Sequence, residues 1–295
     1  MKSYMFGLLL AGATLLLTAC GGQSRRPSVE KPLLTVTIEP LRYFVEAVGG
    51  TCFDVTTIVP EGTSPETYDP TPQQLVDLAQ SKAYLQVGYI GFEQNWIGRL
   101  KENYPDIPFF NLSSGIELIR EKDREHQGHV HAGGVEPHVW NSARNAEIMT
   151  DNICAVLSSL DQARSGIFMH RADSLKQLIR ETDREIRRLL QQGDRSFLIY
   201  HPALSYFARD YGLTQICIEE NGKEPSPAQL QQLIRRCRDE QVRVIFVQQE
   251  FDERNARLIA AELGVRLISI HPLSYRWQEE MLKVAQALAG QPSHP

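Results

Sequence analysis

Between Ile167 and Gln192 the chain contains neither glycine nor proline, and Phe168, Ala172, Leu175, Ile179, Thr182, Ile186 and Leu189 recur at alternating four- and three-residue steps. That spacing draws one stripe along one face of a single uninterrupted helix. At about 1.5 Å per residue the helix reaches roughly 39 Å, longer than one small domain needs. A helix of this length can back two lobes and limit their hinge motion. A solitary coiled coil would carry the same stripe, but it would not normally be flanked by the strand and helix pattern found on both sides here.

On the N-terminal side, short β-branched runs at Leu33 to Ile38, Val55 to Val59, Ala83 to Val87 and Ile107 to Phe110 alternate with helical patterns at Leu41 to Val48, Gln73 to Gln80 and Asn95 to Asn103. The alternation restarts after the long helix. Strand-like runs at Phe197 to Tyr200, Gln215 to Ile218, Val242 to Val247 and Val265 to Ile270 are separated by helical runs at Leu204 to Tyr211, Ala228 to Asp239 and Arg254 to Leu263. Two such arrays predict an α/β protein of two parallel-sheet lobes, residues 32–165 and 194–295, joined by one long spanning helix over 166–193.

The first twenty residues must be set aside before any fold argument. Lys2 is followed by an apolar run from Met5 to Leu17, too short to span a bilayer comfortably, and Leu17-Thr18-Ala19-Cys20 closes it. This ending resembles the bacterial lipobox, which implies a signal peptide over 1–20 and acylation of Cys20. The polar stretch 21–31 reads as a flexible tether. About 265 residues remain, enough for one large or two modest domains. With Lys+Arg 31 against Asp+Glu 36, no basic excess points to a nucleic-acid partner. The expectation is an exported monomer, soluble apart from its lipid anchor and facing the periplasm or cell exterior. In such a compartment Cys52, Cys154, Cys217 and Cys237 are open to two readings: disulfides, most simply Cys52 to Cys154 and Cys217 to Cys237, or small buried thiols.

Ligands of open α/β sheets bind beyond the carboxyl ends of the strands. His201 and His271 both stand there, each directly after a strand-like run and each followed by a proline that fixes the backbone where the side chain leaves the sheet. His138 lies in the rigid segment Glu136-Pro137-His138-Val139-Trp140, ahead of a helix that Asn141-Ser142 can cap. The run from Pro60 to Pro72, rich in proline, glycine and acid residues, reads as a loop and contains Glu66 and Asp69. Residues 121–134 form a charged surface loop in which His126, His129 and His131 are a candidate auxiliary collector of metal.

These segments together resemble the cluster A-1 substrate-binding proteins of ABC transporters, a family that binds zinc or manganese and includes surface lipoproteins once called adhesins. The matching stretches are Ser64 to Pro72, Pro137 to Asn145, Tyr200 to Tyr211, Glu224 to Leu230, Val244 to Phe251 and Ile270 to Leu273, so the likeness runs from Leu33 to about Ala289. It implies metal ligands at Glu66, His138, His201 and His271, with Asp69 the alternative to Glu66. Two positions depart from the family pattern: glutamate replaces the usual histidine at Glu66, and histidine replaces the usual aspartate at His271. Three imidazoles and one carboxylate suit four-coordinate Zn²⁺, whereas Mn²⁺, the alternative, favours more oxygen ligands and a higher coordination number. The resemblance further implies a membrane permease of an ABC importer as partner and no catalytic role. The rivals are a zinc hydrolase, for which no His-Glu-x-x-His, Gly-x-Ser-x-Gly or phosphate-loop motif is present, and a surface adhesin, for which no adhesive repeat is present.

Overall fold

The computed structural model describes residues 31–120, 134–219 and 224–291. The expected leader with Cys20, the expected tether up to Glu30, and His126, His129 and His131 lie outside the described residues.

The first lobe runs β1 (Leu33–Val36), α1 (Glu39–Gly49), β2 (Asp54–Thr57), α2 (Pro72–Ala79), β3 (Ala83–Gln86), α3 (Gly91–Asn103), β4 (Phe109–Asn111) and α4 (Ala143–Leu160). α5 (Ser165–Leu189) follows. The second lobe runs β5 (Ser196–Ile199), α6 (Ser205–Tyr211), β6 (Thr214–Cys217), α7 (Pro227–Asp239), β7 (Val244–Gln248), α8 (Arg254–Leu263), β8 (Arg266–Ile270) and α9 (Trp277–Leu288). The sheets have matching orders, β2-β1-β3-β4 and β6-β5-β7-β8, and every pairing is parallel. The chain therefore steps to one side of β1 and of β5 and then to the other. Each lobe opens a crevice at the carboxyl ends of its strands where that direction reverses.

α5 is a continuous helix of 25 residues whose buried positions are Phe168, Ala172, Leu175, Ile179, Thr182, Ile186 and Leu189. It packs against α1 and α4 of the first lobe and against α9 at the end of the second. As a result one apolar core runs from Leu34 and Phe44 through Phe168 and Ile179 to Phe197, Phe246 and Trp277, without a break between lobes. The outer face of the second sheet carries a smaller cluster that includes Leu198, Tyr200, Ile216, Cys237 and Ile245. Along β5 the side chains alternate between the two, Phe197 and Ile199 into the large core, Leu198 and Tyr200 into the small one. Burial on both faces explains why this strand reads as an unbroken apolar run.

The four cysteines outside the leader form no disulfide. For the expected Cys217 to Cys237 pair the sheet itself is the reason. Cys217 borders the large core on one face of the sheet, and Cys237 is buried in the cluster on the other. Cys52 and Cys154 both border the large core as small apolar groups.

α3 begins at Gly91, four positions ahead of the expected start at Asn95, because the buried Glu93 carboxylate accepts from the backbone N–H groups of Val87 and Gly88 at 2.8 and 2.5 Å and so organises the entry into the helix. α9 has no counterpart among the expected elements, although Trp277, Met281, Val284, Ala285 and Leu288 give it a buried stripe. Among the described residues no helix is long and apolar enough to cross a membrane.

Candidate metal centre

Three of the expected ligands meet where the two crevices face each other. One carboxylate oxygen of Glu66 and one ring nitrogen each of His138 and His201 all lie within 4.8 Å of one another. Each arrives by a different local device.

Glu66 is carried by the turn-rich loop after β2, and the N-terminus of α3 holds that loop. The Phe92 N–H donates to the Pro65 carbonyl at 2.8 Å, and the Gly91 N–H donates to Glu66 Oε2 at 3.2 Å. An acidic group is favoured at that end of a helix. The other oxygen, Oε1, is buried and has no hydrogen-bond partner among the described residues. Asp69 is directed elsewhere, accepting from the Trp96 indole N–H at 2.9 Å in an exposed position. Of the two acids in this loop, Glu66 is the one at the cluster.

His138 is buried in the bend before α4, where Ser142 caps the helix by accepting from the Asn145 N–H. Its ring Nδ1 is hydrogen-bonded to Glu136 Oε1. The Glu136 side chain is fully buried, and its other oxygen accepts from Ser205 Oγ of the second lobe at 2.9 Å. The Tyr206 hydroxyl donates to the Glu136 carbonyl at 2.8 Å.

His201 leaves the end of β5. Its backbone is clamped by Gln248 at the end of β7, which accepts from the His201 N–H at 3.3 Å and donates to the His201 carbonyl at 2.7 Å. Its ring Nδ1 lies 2.7 Å from Glu219 Oε1, just beyond β6, and its face stacks on Phe251 with ring centroids 5.0 Å apart. With a carboxylate accepting the Nδ1 proton of each ring, both imidazoles turn Nε2 into the centre, 3.3 Å apart. Carboxylates in this position fix the tautomer and raise the basicity of a metal-ligating histidine.

Electrostatics follow from this packing. Burial lowers the affinity of the His201 ring for a proton, but the Glu219 hydrogen bond and the charges of Glu219, Glu66 and Glu136 outweigh it, so its pKa stands above the ordinary histidine value. Two buried, carboxylate-backed nitrogens beside an unpartnered carboxylate oxygen form a site that wants a cation. The cavity between these groups offers about 20 Å³, room for a water-sized body.

His271 is not part of this cluster. It leaves β8, the edge strand, and its backbone N–H donates to Glu280 Oε2 at 2.9 Å. Its neighbours Pro272 and Leu273 line the cavity, whereas its own Nδ1 is buried without a partner outside that lining.

A match to the family described as ZnuA, zinc-uptake complex component A periplasmic, runs over residues 34–289. The chain belongs to this zinc-uptake family. Among its relatives, the high-affinity zinc uptake system protein ZnuA of Bacillus subtilis is 24% identical over 289 residues, covering 93% of this chain and 90% of the relative. A metal ABC transporter substrate-binding lipoprotein of Lactococcus lactis is 22% identical over 282 residues, covering 91% and 88%. The crystal structure of a ZnuA superposes with a TM-score of 0.82 at 31% identity, covering 88% of this chain and 99% of that one. The family is an uptake component and not an enzyme.

Within this member of the family, sequence reasoning passes over Glu136, Glu219, Gln248 and Gly91. Glu136 carried a usable signal, an acid two residues before His138 across a rigid proline. The other three are joined to the site only by the packing of separate strands and helices.

Proposed function

We propose that this chain is the extracytoplasmic binding protein of an ABC importer, capturing a divalent metal, zinc ahead of manganese, on Glu66, His138 and His201 and delivering it to a membrane permease. The observation that carries this reading is the pair of Nε2 atoms 3.3 Å apart, each backed by a buried carboxylate, beside a Glu66 oxygen that lacks any other partner. Imidazole nitrogen with one carboxylate is the donor chemistry zinc prefers. A three-ligand zinc site also suits hydrolysis, but membership of an uptake family favours transport.

The reading extends to the segments outside the described residues. Cys20 carries the lipid that holds the protein to the membrane as a monomer, and His126, His129 and His131 serve as an auxiliary collector of metal. Capture involves a small tilt of the lobes rather than a wide hinge, because the shared core and hydrogen bonds between lobes, such as Asn141 to the Ala203 carbonyl at 2.9 Å and Trp140 to the Pro272 carbonyl at 2.7 Å, resist separation.

Metal analysis of protein purified without added metal or chelator, followed by zinc and manganese competition, tests the reading directly. One equivalent of zinc, lost in the double variant His138→Ala/His201→Ala, is expected. Full affinity in that variant would overturn it.

A further inference from the structure

Three ligands leave a zinc ion short of the four that enclose it in a closed site, and the expected fourth, His271, stays outside the cluster. A different residue is placed to serve. We infer that Glu250 supplies the fourth ligand, making the site two imidazoles and two carboxylates; this rests on the reading of the cavity as a metal site.

Glu250 lines the same cavity as Glu66, His138 and His201. Its Oε1 is buried and has no hydrogen-bond partner, a condition shared among the described carboxylates only by Glu66 Oε1. A buried carboxylate oxygen without a donor is costly, and a cation between the two removes the cost for both at once.

The backbone around Glu250 is fixed by the metal site. Two residues before it, Gln248 grips His201 in both directions. One residue after it, Phe251 stacks on the His201 ring, and the Phe251 N–H donates to the Gln248 carbonyl at 3.2 Å to close the turn. Glu250 is thus the crest of a turn whose two feet stand on a ligand. Strand order places it well, because β7 is hydrogen-bonded to β5, the strand that carries His201, while β8 and His271 lie one strand further out. The turn also faces the Glu66 loop, since the Gln249 side-chain nitrogen comes within 3.5 Å of where a Cβ would stand on Gly62.

Glu250 lies outside the set of ligand atoms already within 4.8 Å of one another, so it reaches the ion by rotation of its own flexible side chain. Its role is to close the shell after the other three have taken the metal. A second carboxylate neutralises a divalent ion and widens the choice of metal, because oxygen donors suit Mn²⁺ better than imidazoles do.

The test uses metal-stripped full-length mature protein with Zn²⁺, Mn²⁺ and Co²⁺ as probes, comparing Glu250→Gln, Glu250→Ala, His271→Ala and His138→Ala. Both Glu250 variants are expected to bind zinc at least tenfold more weakly, to lose more for manganese than for zinc, and to alter the visible absorption of bound Co²⁺. The melting temperature of their metal-free forms should be unchanged or higher, since an unpartnered charge has been removed. His271→Ala should bind within about twofold of the parent. If both Glu250 variants bind all three metals like the parent while His138→Ala loses them, the metal site stands and the Glu250 assignment falls. If His271→Ala alone shows the losses, the fourth ligand is His271 and the assignment is overturned. If His138→Ala keeps full affinity, the reading of the cavity falls and takes the assignment with it.

Discussion

The backbone N–H of Gly91 holds Glu66 Oε2 at 3.2 Å, and a Cβ added to Gly91 would stand 2.5 Å from that oxygen and 2.7 Å from the Glu66 carbonyl. No side chain fits between the start of α3 and the ligand loop. Gly91→Ala is therefore expected to push the loop away from the helix, weakening zinc binding by roughly tenfold or more while costing about 1–3 kcal/mol of stability from overpacking. Chelator competition and urea unfolding measure the two effects. Unchanged zinc affinity would show that Glu66 does not hold the metal.

Removing the charge behind either imidazole tests the histidine side of the site without touching a ligand. Glu136→Gln and Glu219→Gln each keep the shape of the side chain but surrender a carboxylate that accepts from Nδ1. Losses of roughly 10–100-fold in zinc affinity are expected for each. Glu136→Gln should also lower stability, because Glu136 joins the lobes through Ser205.

Metal affinity and metal-free stability should respond to pH with opposite slopes. The His201 ring is held above its ordinary value, since burial, which lowers it, is outweighed by the Glu219 hydrogen bond and the charges of Glu219, Glu66 and Glu136. Its contribution to the stability of the metal-free fold is then complete below a pH of about 6.5 and is lost as pH rises through the raised folded value. Zinc must displace that proton, so affinity falls with falling pH and begins to do so above about 6.5. Chelator competition between pH 5.5 and 8.5 should show this slope; a flat profile would contradict the ligand set.

Glu93 adds a separate pH step. Burial raises its carboxyl to about 6 against the opposing hydrogen bonds from Thr37, Val87, Gly88 and Ile90. A raised carboxyl contributes stability that is complete below its unfolded value, about 4.5, and lost as pH rises through about 6. The loss is about 2 kcal/mol. Subtracting the urea-unfolding profile of Glu93→Gln from that of the parent, both metal-free, should isolate a fall of this size between pH 4 and pH 7. Parallel profiles would show that Glu93 titrates alike folded and unfolded.

Much of the architecture could be read along the chain because it depends on local periodicity. The seven-residue stripe of α5 is buried as its spacing demands, and β5 is buried at every position because both faces are covered, which is why Phe197, Leu198 and Ile199 run together without polar interruption. His138 and His201 were legible too, each marked by a neighbouring proline, His201 also by its place just beyond a strand and His138 by the helix cap that follows it.

The fate of His271 was not legible, since the same His-Pro signal follows β8 as follows β5 and only strand order separates them. Nor was the choice between Glu66 and Asp69, which turns on a contact with Gly91 twenty-five positions away. The cysteines show the same limit: their number admitted a pairing, but Cys217 and Cys237 lie on opposite faces of one sheet. Sequence by itself determined the two βα lobes, the helix behind them and the kind of donors available, because each is encoded by spacing within a few turns or strands. The tertiary structure decided which donors converge and which carboxylates stand behind them, because those distances depend on strand order and on how the two lobes pack.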